Sequence, residues 1–484
     1  MRAVLALLLL FLSLAGNAQG QAIGYDGARH LLNRTGFGAT EAEVRDYAKL
    51  SRLQAVDRLL ADTPRVAAGK PPAFVDEPPM PFYKYRQLDD EAKKAELRRV
   101  VERGLILREW WFREMLTSAS PLTERMTLFW HNHFATSQQK VRSPQLMYRQ
   151  NVLLRREALG NFGTLLHAVA RDPAMLIYLD NAGSRRQAPN ENFAREVMEL
   201  FTVGEGHYGE KDIKEAARAF TGWSLDRDSL EFTNRALWHD GGVKTVLGKQ
   251  GRFDGDDVLD ILLARPETGT FIVGKLWKEF VSPTPDPREV ERLAAAWREA
   301  RYEVKPLMRA MLVSDAFWSA EARGAIVKSP VDLVVGTMKT FEIRPATLRP
   351  AVLAAALLGQ NPMSPPNVKG WPGGEAWINS ATLLGRKQLL ERLFRGSDAM
   401  AMTMVAAEVP APMEGQNPEA RFRRLMERGM RTYAFDWERW SKTLPPANVE
   451  RLVLAMPAVN PMPEGTEGVE LVRHLTADPA YQLK

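Results

Sequence analysis

A mainly α-helical protein of many helices is what this sequence predicts, and three observations predict it. Apolar residues recur at helical spacing through most of the chain. Strand signal is confined to about 230–250, where Gly241-Gly242 separates short β-prone runs and suggests one small hairpin. Strands do not alternate with helices, which argues against a Rossmann or barrel architecture, and no repeat of solenoid period is visible.

The elements follow in order. Arg2 and the apolar run Val4 to Ala15 precede the small residues Gly16-Asn17-Ala18, the pattern of a cleavable signal peptide over residues 1–20. The run is shorter than the roughly 20 apolar residues that span a bilayer. An exported protein, periplasmic or secreted, with no membrane anchor after cleavage is therefore expected. A first helix covers about 26–34. Thr40-Glu41-Ala42-Glu43 reads as a capping box opening a helix through about 60. Prolines make 63–85 an irregular loop. A long helix spans roughly 89–116, and Ser120-Pro121 opens another through Phe134, with serine at N-cap and proline at N1. Further helices are expected at 150–171, 190–203, 210–221, 255–264, 268–281, 288–302 and 304–315. Others follow at 330–341, 347–357, 380–395, 418–429 and near 468–476.

At 484 residues the chain exceeds what one hydrophobic core sustains, roughly 250–300 residues. Two helical lobes are expected, residues 22–282 and 288–484, parted at the proline-rich run Ser282 to Pro287. Hydrophobic residues make up 45% and charged residues 26%, the balance of a globular protein. The formal charge of +6 is spread over interspersed residues, so nucleic acid is not an expected partner. Cysteine is absent, which excludes disulfides, thiol catalysis, cysteine-ligated metals and a lipid-anchoring cysteine.

Four stretches could carry chemistry. In Trp130-His131-Asn132-His133-Phe134, two imidazoles suggest a metal site. On one helix, however, positions i and i+2 lie about 200° apart and cannot aim at one ion. The structural alternative is one core histidine and one at a helix end. The second stretch runs from Asn190 to Phe201. Asn190 reads as an N-cap, while Asn192, Glu196 and Glu199 share one face and could bind a hard cation or act as acid and base. The alternative is a solvated face with Glu191–Arg195 and Arg195–Glu199 pairs. The third comprises Glu205 to Tyr208 and His239-Asp240, a base with an orienting carboxylate. Asp254, Asp256 and Asp257 read as an N-cap and an acidic first turn rather than a calcium loop. The fourth is aromatic. Trp371 and Trp377, in a glycine- and proline-rich loop, could stack on sugars or anchor a partner, or could pin the loop to the core.

Together these stretches resemble a bacterial family catalogued as domain of unknown function 1800. The resemblance rests on His30 to Gly38, Leu128 to Phe134, Asn190 to Phe201, Glu215 to Trp223, Phe253 to Val258, Phe271 to Phe280, Asn367 to Gly374 and Asp478 to Lys484. It implies an exported, largely helical protein with no agreed reaction. It also implies a frequent companion, a secreted family similar to sulfatases and alkaline phosphatases. His131, His133, Asn190, Asn192, Arg195, Glu196 and Glu199 occupy the family's signature positions, which implies a shared site formed by two helices.

Three functional readings follow. The first is a non-catalytic envelope protein that assists a secreted hydrolase-like partner or holds a surface polymer. A large exposed apolar patch around Trp371 and Trp377 would favour a partner. The second is a metal-assisted hydrolase or oxidoreductase, with a divalent metal held by His131, His133, Glu196 and Glu199 and with Arg195 nearby. It requires those side chains to converge in a pocket. The third is a buried polar network that locks two helices together.

Overall fold

The computed structural model describes residues 20–394, 433, 435–442, 444–445 and 448–484. Residues 1–19 of the expected signal peptide and the helix expected at 418–429 lie outside the described residues. The fold is mainly helical. Its described strands form two small antiparallel pairs, Trp223–Leu225 with Phe232–Asn234 and Lys244–Val246 with Lys249–Gly251. Among the described residues no helix is long and apolar enough to cross a membrane.

Local chemistry explains most of the element boundaries. The Thr40–Glu43 capping box forms as expected. The single helix expected over 40–60 is two, Glu41–Ala48 and Arg52–Ala61, because Ser51 and Gln54 build a second capping box. The stretch 150–171 likewise divides into Pro144–Arg156 and Phe162–Ala170, with Asn161 capping the latter. Inside the proline-rich loop lie two short helical turns, Ala73–Asp76 and Phe82–Gln87. The loop is tied to the long helix Asp90–Thr117, where the Glu114 carboxylate accepts from the amides of Ala68 and Gly69. The turn of the second strand pair is Leu247-Gly248, both at positive φ, and not Gly241-Gly242. The Asp212 carboxylate takes the Leu247 amide and holds it there.

Among the described residues, two hydrophobic clusters make up the core. One gathers side chains from Leu31 to Trp318 and includes helices Glu191–Glu199, Glu210–Ala219, Gly255–Leu263, Pro266–Phe280 and Pro287–Glu299. The other joins the C-terminal half of helix Asp90–Thr117 to helices Pro330–Thr340, Arg349–Leu357, Ser380–Phe394 and Gly468–Ala477. The clusters therefore do not part at residues 282–287. Asp286 there caps helix Pro287–Glu299 with Pro287 at N1, so the proline-rich run is a turn between two helices of the first cluster.

Helix Pro121–His133 stands between the clusters. Met126, Phe129 and Trp130 belong to the first and Leu128 to the second. A helix packed on every side must neutralise its polar residues internally. Glu124 does so by receiving the Arg155 guanidinium in a bidentate pair, at 2.6 and 2.8 Å. Arg125 reaches Asp332, Glu279 and the Gly36 carbonyl. Asp332 in turn receives the Lys484 amine at 2.7 Å. Ser120 and Pro121 sit where the sequence placed them, but the Ser120 hydroxyl pairs with that of Thr123 and caps no amide.

Candidate functional site: a three-residue clasp beside an acidic cleft

The last turn of helix Pro121–His133 presents three consecutive polar side chains, each holding a different segment. His131 Nε2 accepts from the Met363 amide at 2.9 Å, so its proton resides on Nδ1. Its ring lies between Trp111 and Trp371, with centroids at 5.5 and 5.8 Å. Burial pushes its pKa down to about 4, and the ring is neutral. Asn132 Oδ1 accepts from the Trp371 amide at 2.7 Å. Gly370 approaches the Asn132 side chain so closely, at φ 79°, that a β-carbon there would overlap it. His133 points away from His131. Its Nε2 donates to the Phe201 carbonyl at 3.2 Å, and its Nδ1 accepts from Lys275 Nζ at 3.1 Å. Burial, then the Lys275 charge, holds His133 neutral as well.

The two histidines thus diverge as helical geometry demands, one toward residues 363–371 and the other toward residues 200–201 and 275. Helix Glu191–Glu199 does not bring its carboxylates to them. Asn190 caps this helix, its Oδ1 accepting from the Phe193 amide and its Nδ2 donating to the Leu179 carbonyl. Asn192 is exposed. Arg195 pairs in bidentate fashion with Glu210 of the next helix at 2.8 and 2.9 Å, and not with Glu191 or Glu199. Glu196 is partly buried, and burial, then Glu199, raises its pKa. Glu199 accepts from the Tyr208 hydroxyl at 2.5 Å, with Lys369 at 3.8 Å. No three histidine, aspartate or glutamate side chains among the described residues are grouped as a metal ion requires. The convergence that a shared metal would need on His131, His133, Glu196 and Glu199 is not present.

The other candidates are accounted for locally. Trp371 and Trp377 are buried and pin their loop to the core. His239 bonds the Thr221 carbonyl while Asp240 holds Arg218, so the pair is not a base and its orienter. Asp254 caps its helix through the amides of Asp256 and Asp257, as expected.

Beyond the clasp, the segments it holds frame a surface. Lys369 bridges Glu199 and Glu205, linking loop 361–374 to loop 200–208. Next to Glu205 opens a cleft of about 610 Å³, walled by Gly204, the start of helix Pro266–Phe280 and helix Pro287–Glu299. Glu205, His207, Glu267, Thr270 and Glu291 offer it polar groups, and Phe271 offers an aromatic ring. Gly204, at φ 82°, lets the loop close on Phe271, where a β-carbon would overlap the ring.

A family described as a protein of unknown function, DUF1800, matches residues 30–483. The chain belongs to the DUF1800 family. The match runs from α-helical residues of the first cluster to the last residues of the second, so both cores are parts of the DUF1800 fold. No curated protein and no solved structure matches the chain.

Sequence reasoning gave no role to Asn132, which lies in its first candidate stretch, to Phe271 and Lys275, which lie in a stretch of the family resemblance, or to the cleft residues Glu267 and Glu291. Lys275 alone left a signal, a charged residue beside the apolar stripe Ile272, Leu276 and Phe280. The others are joined only by the tertiary fold.

Proposed function

We infer that this DUF1800 protein is an exported, non-catalytic binding protein of the cell envelope, and that its cleft holds a surface polymer bearing hydroxyl and amine groups. The carrying observation is the lining of the cleft, which combines the carboxylates of Glu205, Glu267 and Glu291, two of them paired with Lys369 and Arg265, with the ring of Phe271. Carboxylates accept strong hydrogen bonds from ammonium groups and hydroxyls. An aromatic ring packs on the C–H face of a sugar while leaving its polar edge free. The signal-like run Val4 to Ala15 supports export. Burial of Trp371 and Trp377 removes the exposed patch that would favour docking of a secreted hydrolase-like partner there.

Co-sedimentation tests this reading. Mature protein is mixed with chitosan, chitin, cellulose or peptidoglycan sacculi and then pelleted. Retention is expected on the amine-bearing chitosan and sacculi, and its loss in the Glu267→Gln/Glu291→Gln double variant. Equal retention of wild type and double variant, or none of either, overturns the reading.

A further inference from the structure

Lys275 is a partly buried amine that the binding reading leaves unused. It lies one helical turn after Phe271, on the same helix. Its Nζ is 4.4 Å from the centroid of the Phe271 ring, 3.1 Å from His133 Nδ1 and 3.2 Å from the Leu200 carbonyl oxygen. Phe271 therefore touches both the amine and the cleft.

The acceptors around Lys275 decide which face of the nitrogen can react. An ammonium has three N–H bonds, directed to His133, to Leu200 and to the face of Phe271. A neutral amine has two, and the nitrogen and oxygen acceptors take both. Its lone pair is left unbonded, and Phe271 is the third group in contact with the nitrogen. Burial, then the neighbouring Lys278 charge, holds the amine's pKa down to about 8, so a usable fraction is neutral near physiological pH.

We propose that Lys275 is a covalent capture site for an aldehyde or ketone carried by a ligand in the cleft, with Phe271 the side chain that must move to admit it. The neutral amine adds to the carbonyl carbon and forms a C–N bond. Expulsion of the carbonyl oxygen as water leaves an imine. Both amine protons depart in that water, and no oxidant or reductant takes part. The proposal does not require the ligand to be a polymer.

The test uses the full mature chain with glyceraldehyde and cyanoborohydride, followed by peptide mass mapping of each lysine over pH 6–10. Lys278, exposed three residues away, is the internal control. Lys275 is expected to be labelled about tenfold faster than Lys278 at pH 7, with a midpoint near pH 8 against one above about 10 for an ordinary lysine. The Lys275→Arg variant, which keeps the charge, should lose only that adduct. Labelling of Lys275 at or below the rate of Lys278 in the wild type overturns the proposal. The Phe271→Ala variant decides the gate. Faster labelling supports Phe271 as the barrier, and unchanged labelling removes it from that role. Polymer retention is read separately, so failure of the cleft reading and failure of the capture site are distinguishable.

Discussion

The end of helix Pro121–His133 and the neighbouring cleft carry similar side chains and use them in opposite ways. In the clasp, His131, Asn132 and His133 direct their hydrogen bonds to backbone and to Lys275, away from solvent. In the cleft, Glu205, His207 and Glu291 are exposed and face open volume. The difference is one of burial rather than residue type. A polar group surrounded by core must find its partners within the protein. A polar group at an open rim, even one paired as Glu205 is with Lys369 and Glu291 with Thr270, keeps acceptor capacity that a ligand can reach. A motif built from histidine and asparagine can therefore be structural, while glutamates nearby face solvent and carry recognition in the function proposed above.

The sharpest way to break this comparison is to remove His133. His133→Ala removes the imidazole partner of the Phe201 carbonyl, leaves Lys275 with the Leu200 carbonyl as its remaining acceptor, and opens space among Phe134, Phe201 and Phe271. Unmade buried hydrogen bonds and the cavity together should cost about 4 kcal/mol. Urea unfolding followed by circular dichroism reads this loss. An unchanged midpoint would move His133 from scaffold to function.

The second prediction concerns pH. The folded pKa of His131 is about 4, below its ordinary 6.5. Between those values the unfolded chain binds more protons, so stability rises with pH. The contribution is complete above about pH 6.5 and is lost as pH falls toward 4. The full span is about 3 kcal/mol. His131→Gln keeps an acceptor for the Met363 amide but cannot titrate. The difference between wild type and this variant should therefore change with pH across that window and be flat above it. A flat difference throughout would mean that the ring is not buried as a neutral acceptor.

Asn132 sharpens the comparison at the point where clasp meets loop. Asn132→Ala deprives the Trp371 amide of its acceptor and should cost about 2 kcal/mol. The loss should be local, with limited proteolysis first cutting within 361–374. Cleavage elsewhere first would show that Trp371 and Trp377 hold the loop without Asn132.

How much of this was legible in the sequence depends on how far each interaction reaches. The helical class, the Thr40 box, the Asp254 cap and the Asn190 cap were readable because each cap lies within a few residues of what it caps. The divergence of His131 and His133 was readable because a helix fixes it within one turn. The Ser51–Gln54 box was equally local, and its Ser-x-x-Gln signature explains the break in the helix expected at 40–60. Partners of the clasp were not readable, since His131 meets residue 363, Asn132 residue 371 and His133 residues 201 and 275. No periodicity couples positions so far apart. The same limit applies to Arg195, whose local pairing partners were passed over for Glu210 on another helix.

The smallest expected effect on stability is the one that tests the cleft. Glu291 accepts from the Thr270 hydroxyl at 3.2 Å, and Glu267 pairs with Arg265 on its own helical turn. Glu267 is tied only within its own turn, and Glu291 makes a single exposed side-chain bond to the neighbouring helix. Replacing each by glutamine keeps volume and hydrogen-bonding reach while removing charge, so stability should stay within about 0.5 kcal/mol of wild type. Urea unfolding of the double variant measures it under the conditions used for His133→Ala. A loss approaching that of His133→Ala would mean that the cleft is held together by its charges, and the contrast between clasp and cleft would fail. Near-equal stability with lost retention on chitosan would place recognition in charges that the fold does not need.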